Sequence, residues 1–474
     1  MTMRCVLALL LFAAVAAAND LEPKLRKALV KIQVTSQSWD LAEPWKKRRV
    51  STRQGRGVVI RPGIVLTLAN LVTNQLQIEA SVYGSARQYP ARLKHVDTRL
   101  GLALVEITDP KLVESLEPLK LGAPVKLDDK FDIWQLNADN LLQRATATVV
   151  RASASSTRLT LRVNTTSGDS GNGQVAIRDG AVVGFLTGSV RRQEGTILSI
   201  ETIQHYLGGF AEDGGYRGIP GPCIWILPLL RDDLRQYYGL TDKQHGIAIR
   251  RVMPGRSGDG ILKPDDVLLK VDGYDIDDEG TFIHEVHGRL HTGYLFQGRR
   301  YAGDKIKVEV FRGGAKKELE LELKSPSPST MLIPQKAAGS RPQFLVTGGL
   351  VILELTKNYS ARSAILGRYQ ERDGWDARGD RQRLVFVDHI LRDPSNKGFE
   401  SLRQRPVLTV NDQPIRAIAD VAKALEVKRE FHVFRFEGVE SDYVVAAADL
   451  ATINARIAQR YKVTRQRYLH GDEE

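Results

Sequence analysis

The run Ser167-Gly168-Asp169-Ser170-Gly171-Asn172-Gly173 has the residue types that acyl transfer requires. A serine hydroxyl is flanked by glycines that let the backbone turn tightly, so that neighbouring amides can converge on a developing oxyanion. As a bare string it is equally an ordinary hairpin loop, because Gly, Asp, Ser and Asn are the common turn formers. Two other groups of residues could do chemistry. His284, His287 and His291 are spaced i, i+3, i+7 and would share one helical face. The second histidine comes one residue too early for the H-E-x-x-H zinc pattern, so a solvated face is the expected reading and no metal is expected. Cys223 has no helix N-terminus or basic partner beside it in sequence and reads as a small buried hydrophobe.

The elements around the serine run are short and apolar, bounded by Gly, Pro, Asn and Asp. Gly57 to Ile60, Ile64 to Leu68, Leu102 to Ile107, Ala145 to Val150, Leu159 to Val163 and Ala181 to Leu186 read as strands of an all-β barrel or sandwich. A helix near Glu201 to Gly208 closes this unit. A second unit, from about Tyr216 to Lys324, mixes strands with one helical stretch. Ser325-Pro326-Ser327-Pro328-Ser329-Thr330 reads as an extended linker. A third mixed unit follows from Pro342 and ends in a helix over Leu450 to Tyr461 and a polar tail.

Upstream of the serine, Gly55-Arg56-Gly57-Val58-Val59-Ile60 and then Ile64-Val65-Leu66-Thr67-Leu68-Ala69-Asn70-Leu71-Val72 resemble the G-S-G-x-V-I and V-L-T-N-A-H-V-V landmarks of HtrA/Deg serine proteases. Arg99-Leu100-Gly101-Leu102-Ala103-Leu104-Val105-Glu106-Ile107 resembles that family's D-L-A-L-L-x-I, and the serine run its GDSGG loop. The resemblance covers almost all of the chain after its first residues and is greatest to plant-type Deg proteins with two PDZ domains. It implies a mainly β fold, a chymotrypsin-like double β-barrel followed by two α+β PDZ-like domains, and no cofactor. The implied boundaries are residues 1–18 for a signal peptide, 19–212 for the trypsin-like domain, 213–326 for the first PDZ domain, 327–341 for a linker and 342–474 for the second PDZ-like domain with its C-terminal helix.

Carried over residue by residue, the resemblance puts the nucleophile at Ser170 and the oxyanion donors at the Gly168 and Ser170 amides. It puts the general-base histidine at Asn70 and the orienting aspartate at Gly101. An asparagine has no titratable nitrogen near neutral pH and cannot take the serine proton. A glycine has nothing with which to hold an imidazole, and losing triad members costs on the order of a million-fold in turnover. The resemblance therefore implies a proteolytically impaired homologue that binds extended or unfolded polypeptide in envelope quality control, or acts as a scaffold. Two alternatives stay open: an active serine endopeptidase with an unrecognised base, for which His95 with Asp97 is the candidate, and a structural subunit of mixed oligomers with active relatives.

His245-Gly246-Ile247-Ala248-Ile249, Met253-Pro254-Gly255-Arg256-Ser257 and Gly260-Ile261-Leu262-Lys263-Pro264-Asp265-Asp266-Val267-Leu268, closing on Val271-Asp272-Gly273, resemble a PDZ signature. PDZ domains add a peptide strand to a sheet edge and catch its carboxylate in a nest of amides. The corresponding loop and peptide-binding residues are Ile224, Trp225 and Ile226, after Cys223, with Trp225 where a glycine is usual. Val385 to Ile390, Gly398 to Leu402 and Val407 to Ile415 resemble the second PDZ domain of the plant-type proteins, which in relatives serves as a lid or assembly element.

The remaining composition is consistent with this class. At 474 residues, 42% hydrophobic and 26% charged, the chain is long enough for two to four ordinary globular domains. Arg4, the apolar run Val6 to Val15 and Ala16-Ala17-Ala18 before Asn19 form a secretory signal in order, so the mature chain is expected to begin near Asn19 and to be secreted or periplasmic. Cys5 leaves with that segment, and Cys223 alone cannot form an internal disulfide. Lys and Arg exceed Asp and Glu by a formal charge of +12, dispersed in short clusters such as Lys46-Lys47-Arg48-Arg49. No nucleic-acid module surrounds them, and attraction to acidic surfaces such as anionic lipid is the milder reading. Family resemblance implies a homo-oligomer, a trimer through the first domain, with polypeptide clients and no nucleic acid.

Overall fold

The structure is a computed structural model, and it describes residues 21–168, 171–325, 327, 331–337, 339–370 and 381–470. Residues 1–18, expected to be a signal peptide, and Asp169 and Ser170 lie outside the described residues. The chain divides into two compact units, residues 1–36 with 51–325 and residues 37–50 with 326–474.

Unit one opens with a helix at 21–28 and a closed six-stranded barrel, β1 (Leu29–Ser36), β2 (Ser51–Arg61), β3 (Ile64–Leu68), β4 (Gln75–Ser81), β5 (Tyr89–Asp97) and β6 (Leu102–Ile107), in the order β1-β2-β3-β6-β5-β4. A second closed barrel follows, β7 (Lys130–Leu136), β8 (Leu142–Ala154), β9 (Leu159–Thr165), β10 (Gly171–Arg178), β11 (Ala181–Arg191) and β12 (Glu194–Ser199), in the order β10-β11-β12-β9-β8-β7. Strand β9 illustrates the logic: Leu159, Leu161, Val163 and Thr165 are buried, while the alternate residues face outward. Val30, Ile32, Val59, Val65, Ala103 and Val105 fill the first barrel; Ile133, Val149, Leu161, Val163, Ala176 and Ile197 fill the second. The barrels are the chymotrypsin-like pair expected from the resemblance, and the helix Ile200–Gly208 follows the second with Ser199 as its N-cap.

The two barrels touch where β2 runs against β10. A Cβ on Gly173 would come within 2.5 Å of Arg56 O, and one on Gly55 within 2.9 Å of Asn172 O. Only glycines permit this approach at positions 55 and 173, while a Cβ on Gly57 would strike Leu66 O at 2.8 Å within the first barrel.

The same unit continues with a PDZ-like sheet: β13 (Ile224–Pro228), β14 (Ile247–Val252), β15 (Val267–Val271), β16 (Tyr274–Asp275), β19 (Lys305–Arg312) and β20 (Ala315–Glu322). Its order is β13-β14-β15-β19-β20 with β16 on β15, beside a separate hairpin of β17 (Thr281–His284) and β18 (Gly288–His291). That hairpin corrects the helical reading of the three histidines. His284 ends β17, His287 lies in the turn and His291 ends β18, so they line no helix. His284 is buried, and the His287 side chain is 1% exposed with Nε2 2.5 Å from Glu201 Oε1, a buried contact with the barrel domain where a solvated face is expected, while His291 is exposed as expected.

Unit two is an eight-stranded sheet, β21 (Phe344–Thr347), β22 (Leu350–Glu354), β23 (Val385–Ile390), β24 (Arg405–Val410), β25 (Gln413–Pro414), β26 (Phe431–Phe436), β27 (Tyr443–Ala446) and β28 (Arg467–Tyr468). Its order is β27-β26-β24-β23-β22-β21-β28 with β25 on β24. The helices Ile418–Glu426 and Ala447–Tyr461 bury Ile418, Val421, Ile453 and Ile457 in its core. Three features differ from the sequence reading. Leu332 and Ile333, in the stretch assigned to the linker, are buried in this core. The polar tail carries β28, with Tyr468 opposite Phe344. Residues 37–50, a loop between β1 and β2, belong to this unit, and Trp45 lies in its core 6.5 Å from Phe344. No described helix is long and apolar enough to cross a membrane.

Candidate active-site cleft

Strand β3 leads into a single helical turn, Ala69–Val72, that carries Asn70. The turn joining β5 to β6 carries Gly101. The two segments are joined by Ala69 N–H donating to Gly101 O at 2.9 Å, and Gly101 N–H donates to Asp97 O at 2.8 Å. Gly101 has φ +79°, a left-handed conformation natural for glycine. Asp97 builds the turn, its Oδ1 accepting from the amides of Arg99 at 2.8 Å and Leu100 at 2.9 Å. Asn70 is exposed, and its carbonyl accepts from Arg53 Nη1 at 3.0 Å.

Asn70 and Gly101 face one cavity of about 270 Å³, lined also by Leu68, Ala69, Thr73, Thr98, Arg158, Thr187 and Leu198. Thr187 on β11 is the register partner of Asn172 on β10, two residues beyond Ser170. Thus the positions matched to base and orienter open onto the flank of the strand that follows the serine. Gly168 is exposed, and the preceding Ser167 is buried with its amide donating to Thr165 Oγ1 at 3.1 Å.

Among the described residues lining the cavity, Arg158 alone is ionisable. A Cβ placed on Gly101 would meet Arg158 Nη1 at 2.9 Å, so a guanidinium stands where a side chain at position 101 would project. The described lining thus presents no imidazole or carboxylate that could accept a proton. His95, the candidate substitute base, is elsewhere. Its Nδ1 lies 2.9 Å from Tyr206 Oη, and its ring packs against Tyr216 and Phe210 with centroids 4.3 and 4.9 Å away. Burial lowers its pKa below the usual histidine value, and Asp97 Oδ2 accepts from Tyr216 Oη at 2.8 Å. The His95 and Asp97 pair therefore belongs to an aromatic cluster.

Sequence reasoning overlooked Arg158 and Arg99. Arg158 enters through a tight turn in which Ser155 N–H donates to Arg158 O at 2.9 Å and Arg158 N–H to Ser155 Oγ at 3.1 Å. Thr157 Oγ1 of that turn donates to Arg99 O at 3.2 Å. The Arg99 guanidinium reaches the PDZ-like part of the unit, where Nη1 donates to Ile219 O and Nη2 to Gln297 Oε1, both at 2.9 Å. No local pattern announces either residue, since each is placed by a contact between distant segments.

In that PDZ-like sheet, Ile224, Trp225 and Ile226 lie on the edge strand β13, paired on one side with β14 and each half-buried. Trp225 is thus not a core residue. Cys223, just before them, is buried, and burial pushes its thiol up to about 12.

Residues 55–185 match the trypsin-like peptidase domain family and residues 333–469 the PDZ domain family. The chain is 26% identical to Protease Do-like 2, chloroplastic, of Arabidopsis thaliana, over 86% of this chain and 70% of that protein. It is also 26% identical to the putative mitochondrial protease Do-like 3 of the same plant, over 84% of this chain and 72% of that one. Among solved structures, the HtrA-type protease AlgW with tripeptide superposes with a TM-score of 0.50 at 18% identity, covering 66% of this chain and 98% of that one. With paired barrels, a PDZ-like sheet, trypsin-like peptidase and PDZ domain matches and Do-like relatives along most of its length, the chain is similar to HtrA/Deg proteases.

Proposed function

We propose that this chain is an exported, proteolytically impaired HtrA/Deg homologue that binds extended or unfolded polypeptide, in envelope quality control or as a scaffold. The observation that carries the reading is the cavity shared by Asn70 and Gly101, whose described lining holds neither imidazole nor carboxylate. A serine hydroxyl without a base is a poor nucleophile, and what is left is the binding capacity of the cleft and the PDZ-like edge strand. The fold neighbour solved with a tripeptide supports polypeptide as the class of client. A homotrimer through the barrel domain and processing before Asn19 complete the proposal.

Purified mature protein incubated with unfolded casein is expected to leave it intact, and Ser170→Ala to behave like the parent. Cleavage that Ser170→Ala abolishes would overturn the reading in favour of an endopeptidase with another base. Co-purification with an active Deg relative would favour the mixed-oligomer alternative. N-terminal sequencing of the mature form tests export, and a retained Met1 would refute it.

A further inference from the structure

The cleft has lost its acidic member and holds a cation. Arg158 lines the 270 Å³ cavity, and a Cβ on Gly101 would fall 2.9 Å from its Nη1. Among the described residues no carboxylate pairs with its guanidinium, and the hydrogen bonds of this residue are main-chain bonds to Ser155. Arg53 adds a second guanidinium beside the cavity, bonded to Asn70 O and Thr73 O. The nearest acid in sequence, Asp97, is engaged by the Arg99 and Leu100 amides and by Tyr216. The floor of the cavity is apolar, formed by buried Leu68, Ala69 and Leu198, while Asn70, Thr98 and Thr187 supply neutral polar groups around it. A planar guanidinium on a turn held by its own hydrogen bonds, beside an amide and hydroxyls and above an apolar floor, matches a carboxylate with a short hydrocarbon stem.

We infer that the vacated catalytic cleft is a carboxylate-binding site, with Arg158 as the anchoring cation and Asn70 as an auxiliary donor. It rests on the polypeptide-binding reading above, and the carboxylate is carried by the bound polypeptide, at its C-terminus or on an Asp or Glu side chain. Peptide therefore docks in the cleft by charge where an active relative would hold its own aspartate.

The test uses the full mature protein and three fluorescein-labelled Ala/Val decapeptides: one with a free C-terminus, one amidated, and one amidated with a central glutamate. Affinities are read by fluorescence anisotropy for the parent, Arg158→Ala and Arg158→Lys. Arg158 is exposed, so its replacement leaves the core intact. In the parent, at least one carboxylate peptide is expected to bind about ten-fold tighter than the neutral amide, the scale of a charge-assisted hydrogen bond. Arg158→Ala abolishes that ratio and Arg158→Lys keeps part of it. Which peptide shows the ratio identifies the C-terminal or side-chain source. A ratio unchanged by Arg158→Ala assigns the carboxylate to the PDZ-like edge and overturns the inference while leaving polypeptide binding standing. Failure of all three peptides to bind overturns both, and casein cleavage dependent on Ser170 is a separate result that bears on the impaired-protease reading alone.

Discussion

Replacing the two residues matched to base and orienter is a demanding test, because Gly101 leaves little room for the change. Asn70→His with Gly101→Asp would return base and orienter, which act as a unit and should couple non-additively. Gly101, however, sits at φ +79°, and a side chain there enters the space of Arg158 Nη1. Holding a non-glycine residue in the left-handed region costs about 1 kcal/mol. The new carboxylate would pair with the Arg158 guanidinium, a partly solvated contact worth about 1 kcal/mol that draws it from the imidazole. The first is a cost in folding stability; the second raises the barrier, by roughly five-fold in rate. Removing Arg158 relieves that second effect. The assay is the rate of fluorophosphonate labelling at Ser170 in the parent, both single variants, the double variant, and the triple variant that adds Arg158→Ala. The expected order is triple above double by about five-fold, double above the two singles combined, and no gain from Arg158→Ala in the parent. A triple variant no faster than the double would refute the placement of Arg158, and strong labelling of the parent would refute the assignment of the base.

Three further outcomes follow from burial. His205 is buried between Tyr301, its stacking partner at 4.5 Å, and the barrel domain, and burial lowers its pKa to about 4. Folded His205 resists a proton that the unfolded chain accepts near pH 6.5. Stability is therefore full above that pH, declines as pH falls towards 4 and levels below it, a loss of about 3 kcal/mol. Urea midpoints at pH 7 and pH 5 should show a smaller drop for His205→Gln than for the parent, and equal drops would refute the attribution. Cys223, with its thiol pushed up to about 12, should be inert to Ellman's reagent at pH 8 in the native protein and react fully in urea. Trp45→Ala should destabilise unit two by about 3 kcal/mol, read as a lower urea midpoint for the transition reported by near-ultraviolet circular dichroism, because it empties a core position.

The barrel strands were legible because their signal is local. Ile64–Leu68 and Leu102–Ile107 have the bounds that apolar runs between turn residues indicate. Where the reading failed, the deciding contact was remote. Three histidines at helical spacing fall on a hairpin because Phe282 and Leu290 pair across β17 and β18. Leu332 and Ile333 follow a Pro/Ser stretch that hides how much apolar surface comes next. Arg158 reaches Gly101 from the other barrel, a contact no window of sequence contains.

The loop at residues 37–50 changes how this chain can be cut. Thr464 Oγ1 donates to Trp45 O at 3.3 Å across 419 positions of sequence, and the Arg341 guanidinium stacks 4.5 Å from the Trp39 ring. Synthesis makes this loop early and its partners, Phe344 and Thr464 among them, much later, so its tryptophan waits for most of the chain before it is covered. A contact of such separation is slow to form, although the entropy of closure grows only logarithmically with length. Truncation after Ser325 accordingly does not yield a clean two-domain fragment: it leaves a solvent-exposed apolar anchor on the first barrel, and it deprives the remaining piece of part of its own core.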